Sequence, residues 1–143
     1  MCNETTVCQI FPSALLTELL RGRTWHTSGI LCRRALFDKT GLFNTKFRIA
    51  EDSNLWFKMA CVGKIIPGDM SKPVSEYHRH SENTFFLDID RKPDMVSAMA
   101  DACYWAQRKR LSGRVLNVLI TETRSYISNS VAIALQANRM DLA

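Results

Sequence analysis

Ile49-Ala50-Glu51-Asp52-Ser53-Asn54-Leu55-Trp56-Phe57-Lys58-Met59-Ala60-Cys61-Val62-Gly63 is the stretch whose reading decides the fold. Leu55, Trp56, Met59, Ala60 and Val62 recur at the 3.6-residue period of a helix packed along one side. Gly63 stands where a left-handed C-cap is expected. Glu51 and Asp52 open the pattern at the positive end of the helix dipole, where a carboxylate accepts orphan backbone N–H groups. Two neighbouring acids point in different directions. While one caps, the other can face a cleft and take a proton from a hydroxyl.

Downstream, Lys64-Ile65-Ile66-Pro67 and Val74-Ser75-Glu76-Tyr77-His78 read as strands limited by Pro67 and Pro73. His78 and His80 alternate, so both lie on one side of the second strand with Arg79 opposite. Two such histidines suit a metal, a diphosphate or a polar rim. Upstream, Thr27-Ser28-Gly29-Ile30-Leu31-Cys32 reads as a buried strand whose glycine marks a close approach of backbone or ligand. Trp25 and His26 precede it, an aromatic–His pair that suits sugar stacking and equally a core edge. Arg33-Arg34 follow and point to solvent. A short helix is expected over 9–20, capped by Ser13, with Leu15, Leu16, Leu19 and Leu20 on one face. Another is expected from Arg33 to Thr40, stopped by Gly41. Phe43 and Phe47 pin the loop that follows.

After Asn83 the character changes. A helix opens near Pro93, and Leu111-Ser112-Gly113 breaks it. A second helix from Val115 places Leu116, Leu119, Ile120, Tyr126, Ile127, Val131 and Leu135 on one face. The two form an αα-hairpin. Asp88-Ile89-Asp90 is read as first-turn acids of that hairpin rather than as a cation site. The fold class expected is α/β, leaning to α+β, with residues 1–89 as one portion and 90–143 as the hairpin.

The 143 residues carry a net charge of +5, and 46% of them are hydrophobic, as in an ordinary globular domain. Residues 1–80 hold 11 Lys and Arg against 7 Asp and Glu, while 81–143 hold 8 against 7, so the basic excess lies in the first portion. A solvated surface accounts for it, and no aromatic–basic interleaving points to nucleic acid. Five cysteines with no zinc spacing imply free thiols and a reducing, cytoplasmic setting, which includes the inner face of a membrane. No basic and apolar leader opens the chain, and no run of about eighteen apolar residues spans a membrane.

Four pieces in order carry a resemblance: Thr27-Ser28-Gly29-Ile30-Leu31-Cys32-Arg33-Arg34, Gly41-Leu42-Phe43-Asn44, Ala50-Glu51-Asp52-Ser53-Asn54-Leu55-Trp56-Phe57-Lys58-Met59-Ala60, and Pro73-Val74-Ser75-Glu76-Tyr77-His78-Arg79-His80-Ser81-Glu82-Asn83. Over residues 13 to 85 the chain resembles the C-terminal, acceptor-side part of family-2 glycosyltransferases of the GT-A fold. The resemblance implies an inverting transfer from a nucleotide-sugar donor to a glycan, lipid or other hydroxyl acceptor. Asp52 matches the catalytic base. Glu51 would bind the acceptor or orient the loop, with Trp25 and His26 as a further sugar-binding surface. His80 matches the histidine beside the diphosphate and its divalent cation (Mg or Mn), and Arg79 or His78 would neutralise the leaving group. Asn44 stands where the family has an acid. The family's N-terminal nucleotide-binding half has no counterpart here, so this chain alone is expected to bind donor poorly and transfer little. The competing reading is a non-enzymatic α-rich interaction module whose hairpin docks a partner. Convergence of Asp52 and His80 on one cleft discriminates the two.

Overall fold

A computed structural model describes residues 12–22, 27–64 and 92–140, with single positions 66, 73, 75, 76 and 78 between the last two segments. Among the described residues there are five α-helices: α1 (Pro12–Leu20), α2 (Arg34–Thr40), α3 (Glu51–Val62), α4 (Lys92–Arg108) and α5 (Gly113–Met140), with a 3-10 turn at Thr27–Gly29. Among the described residues there is no strand, which corrects the expected α/β, GT-A-type domain with a few short strands.

The physical reason is visible at residues 30–33. Residues 30–33 form no regular element, and Ile30 and Cys32 pack against the core while Leu31 between them is wholly exposed. The two-residue alternation of a strand is therefore there, but no described neighbour supplies a ladder of hydrogen bonds, and alternation alone does not make a sheet. Gly29 has open space around it rather than the close approach expected. Of the strands expected at 64–67 and 74–78, residues 65, 67, 74 and 77 fall outside the described residues, and the five positions described there are not in a strand.

α3 is the helix around which the others assemble. It packs on α1, α2 and α4, and α5 packs on α1 and α4. Eight consecutive α3 residues, Asn54 to Cys61, are buried. That exceeds the one-sided pattern of its sequence, because neighbours cover several of its faces. Leu16, Leu20, Leu55, Met99 and Leu119 are fully buried and belong to one core, shared by α1, α3, α4 and α5. Leu15, Leu16, Leu19 and Leu20 form the inward face of α1 as their spacing predicts. The helix starts at Pro12, so Ser13 lies within it rather than capping it. Arg21 carries α1 onto α5 through paired hydrogen bonds to Glu122, 2.8 and 3.1 Å long. At an exposed site these contribute little to stability.

The ends of α3 are set by tertiary contacts. Its N-cap is Ala50, buried and left-handed at φ 66°, with no side-chain cap of its own. At the other end Gly63 is extended, φ −105° and ψ 171°, not left-handed. Glycine is required there for room: a Cβ would stand 2.8 Å from the Met59 carbonyl oxygen and 3.3 Å from Leu36 Cδ2. Gly63→Ala is therefore expected to destabilise the protein by about 1–3 kcal/mol, as overpacking does elsewhere. Urea unfolding monitored by circular dichroism measures this, and an unchanged midpoint would refute the steric account.

The hairpin forms as expected, with Pro93 in the first turn of α4 and the break at Lys109–Ser112 turned through Arg110, φ 53°. The predicted single apolar face of α5 does not hold along its length. Leu119 is buried, but Ile127, Val131 and Leu135 are 39%, 53% and 60% exposed. A 28-residue helix outruns a 17-residue partner, so its distal turns pass beyond the start of α4.

Candidate functional site

Asp52 occupies the first turn of α3, half-buried. Its two carboxylate oxygens have different tasks. Oδ1 accepts the Ser53 backbone N–H at 2.6 Å and lies 3.3 Å from the Ser53 hydroxyl, so it satisfies one of the four orphan amides that every helix start presents. Oδ2 accepts the Thr27 hydroxyl at 3.3 Å. That contact joins the Thr27–Gly29 turn to the mouth of α3 across 25 residues. Capping and outward-facing roles, which the sequence left as alternatives, thus fall on the two oxygens of one carboxylate. Glu51 precedes it in the same turn, also half-buried. Arg33 and Arg34 are exposed, as expected.

Below this mouth lies a polar cluster that sequence reading missed. The Lys58 ammonium, nearly buried, donates to Asp101 Oδ2 at 2.6 Å. Asn54 Nδ2 donates to the same oxygen at 2.9 Å and to the Ala98 carbonyl at 2.8 Å. Burial alone would raise the Asp101 carboxyl, but the donors from Lys58 and Asn54 outweigh it and hold it below its ordinary value. These partners are separated by 43 and 47 residues, so no local pattern announces them. The one signal was a lysine and an asparagine inside an apolar helical run, each of which needs a partner when buried.

A carboxylate lowered by its native contacts stabilises the fold above its unfolded pKa, and that contribution is lost as the pH falls through the lowered folded value. Asp101→Asn should consequently be less stable than the wild type at neutral pH by roughly 1–2 kcal/mol, a charged hydrogen-bond contribution discounted for partial exposure. The gap should close as the pH drops below the ordinary value of 3.8. Paired urea titrations at pH 7 and pH 3 check this; a gap that stays constant would show that Asp101 acts through packing and not charge.

Phe43 meets Trp56 edge-on, with centroids 6.2 Å apart and planes at 80°, and so pins the loop that leads into α3. Phe47 is half-buried in the same loop. Cys32, Cys61 and Cys103 are free thiols, and Cys32 Sγ lies 3.8 Å from Met59 Sδ. Burial, reinforced by neighbouring Cys103, pushes the Cys61 thiol up to about 12, so it behaves as a small hydrophobe.

The remaining sequence-predicted residues are not brought to Asp52 by the described structure. Trp25, His26, Arg79 and His80 lie outside the described residues, as do Asp88 and Asp90, and so does any convergence of Asp52 with His80. His78 is described: its Nε2 stands 3.8 Å from a Glu76 carboxylate oxygen, with both side chains exposed. Among the described residues no three His, Cys, Asp or Glu side chains are grouped so as to hold a metal ion, and no helix is long and apolar enough to cross a membrane. Comparison with protein-family models, with curated proteins and with solved structures finds no match.

Proposed function

We propose that this chain carries the acceptor side of an inverting sugar-transfer site, with Asp52 as the general base. The observation that carries the reading is the Thr27–Asp52 hydrogen bond, because it brings together two of the four pieces on which the resemblance to family-2 glycosyltransferases rests. The reading depends on the mouth of α3 and not on a sheet. The Asp52 carboxylate is anchored at one oxygen by the Ser53 amide and accepts the Thr27 hydroxyl at the other. In the reaction it takes the proton of an acceptor hydroxyl. The acceptor oxygen attacks the anomeric carbon from the face opposite the nucleotide diphosphate, and the bond to the diphosphate breaks with its electron pair. Inversion follows. Glu51, beside Asp52, binds the acceptor or orients the loop. Trp25, His26, Arg79 and His80 belong to this proposal on the resemblance alone. So do a divalent cation on the donor diphosphate, a nucleotide-binding half outside this chain, and a cytoplasmic setting.

Calorimetric titration with UDP and UDP-sugars, with and without Mn²⁺, tests the donor side on the wild type and His80→Ala. Metal-dependent binding that weakens in His80→Ala supports the reading. The acceptor side is tested by supplying the nucleotide-binding half of a family-2 enzyme and measuring sugar transfer. Absence of both binding and transfer would overturn the proposal. A second reading, a non-enzymatic helical module that docks a partner, is favoured by one observation: Ile127, Val131 and Leu135 recur every four residues on α5 and are exposed. It would stand if the first failed and a partner-dependent loss of exposure on α5 were seen.

A further inference from the structure

We infer that Asp101, on the helical hairpin, is a positioning residue for Asp52: its carboxylate gathers Asn54 and Lys58 from α3, and so sets where the mouth of α3 stands. The placing of Asp52 is independent of the sugar-transfer reading; its catalytic consequence rests on that reading. This assigns a task to the hairpin, which no part of the resemblance covers.

The geometry works at two points. Lys58 lies six residues beyond Asp52 and Asn54 two residues beyond it, so a single acceptor oxygen holds the first two turns of α3. Asn54 Nδ2 donates at once to that oxygen and to the Ala98 carbonyl, which fixes the amide against both the side chain and the main chain of α4. Its Oδ1 is buried with no hydrogen-bond partner, so both amide protons are committed to α4 at the expense of the acceptor.

The test uses the 143-residue chain and needs no ligand. Two variants are compared with the wild type by urea unfolding and by ¹⁵N NMR: Lys58→Met/Asp101→Leu and Asp101→Ala. The first removes the buried cation with its partner and fills the space with apolar atoms, so the fold keeps its stability. A purely structural Asp101 would leave the mouth of α3 unchanged in it. Positioning predicts instead that the Ser53 amide, reporter of the Asp52 Oδ1 contact, shifts and exchanges about tenfold faster, while Leu119 in the core is unmoved. Asp101→Ala removes the acceptor of Asn54 and Lys58 and should shift the same amide in the same direction. Should Lys58→Met/Asp101→Leu fail to fold, Asp101→Ala decides alone. A Ser53 amide unchanged in the folded variants overturns the inference. These readouts involve no sugar, so a failed transfer assay leaves them standing and counts only against the catalytic reading.

Discussion

Leu55→Ala is expected to lower the free energy of unfolding by about 3–4 kcal/mol, in the upper part of the range for buried leucines. Leu55 has no exposed surface and sits on the helix that α1, α2 and α4 all contact. Removing three methyl-sized groups there forfeits their transfer free energy and leaves a cavity between helices that cannot all collapse into it. For a chain of this length the loss corresponds to roughly 10 °C in midpoint temperature, or a fall in the urea midpoint at unchanged slope. Leu135→Ala supplies the contrast. Leu135 is 60% exposed on the distal part of α5, and its replacement should stay within about 0.5 kcal/mol of the wild type. Equal losses at the two leucines would mean that α3 is not the centre of the core.

The second large effect is expected at Asp52. With a nucleotide-binding half supplied, Asp52→Asn should lower the rate of sugar transfer by a factor on the order of 10²–10⁴, the range for loss of a general base. The substitution keeps shape. An amide oxygen still accepts from the Ser53 N–H, as Asp52 Oδ1 does, so stability should change by less than about 1 kcal/mol. The comparison separates chemistry from architecture. A rate loss matched by unfolding would mark Asp52 as a cap alone, whereas a rate loss in a fully folded variant marks it as the base. Thr27→Ala serves as the intermediate case: it removes the donor to Oδ2 but not the carboxylate, and a loss of only a few-fold is expected.

Both expectations turn on residues that local pattern could find. Leu55 is marked by the helical period, and Asp52 by its place at the start of that period and by the resemblance. The residues that hold these two in place were harder to see. Asp101 looks like any surface acid between Ala100 and Ala102, and nothing near it in the chain names Lys58 or Asn54 as its partners. Gly63 was legible as a helix stop, but its reason was misread, because the crowding comes from Leu36 on a different helix as well as from α3 itself.

The strands show the same limit from the other side. Ile30 and Cys32 face the core with Leu31 between them facing out, so the alternation in the sequence is real. What makes an extended segment a strand is a second one at hydrogen-bonding distance, a non-local fact, and none is found among the described residues. The exposed stripe of α5 is alike in kind: Ile127, Val131 and Leu135 have helical spacing, but whether a spaced face is buried depends on how far its partner helix extends.

By itself, then, the sequence determined the helices, the opening of α3 at its acids and of α4 near Pro93, the inward face of α1 and the hairpin, because these follow from spacing within a few residues and from backbone rules that act locally. Tertiary structure alone decided that α3 is enclosed by α1, α2 and α4, that the predicted strand at 27–32 becomes a turn and an irregular segment with no partner strand among the described residues, and that a carboxylate of the hairpin holds the helix carrying Asp52. Those outcomes depend on groups 25 to 47 residues apart meeting within hydrogen-bonding distance, and the packing of the whole core brings them there.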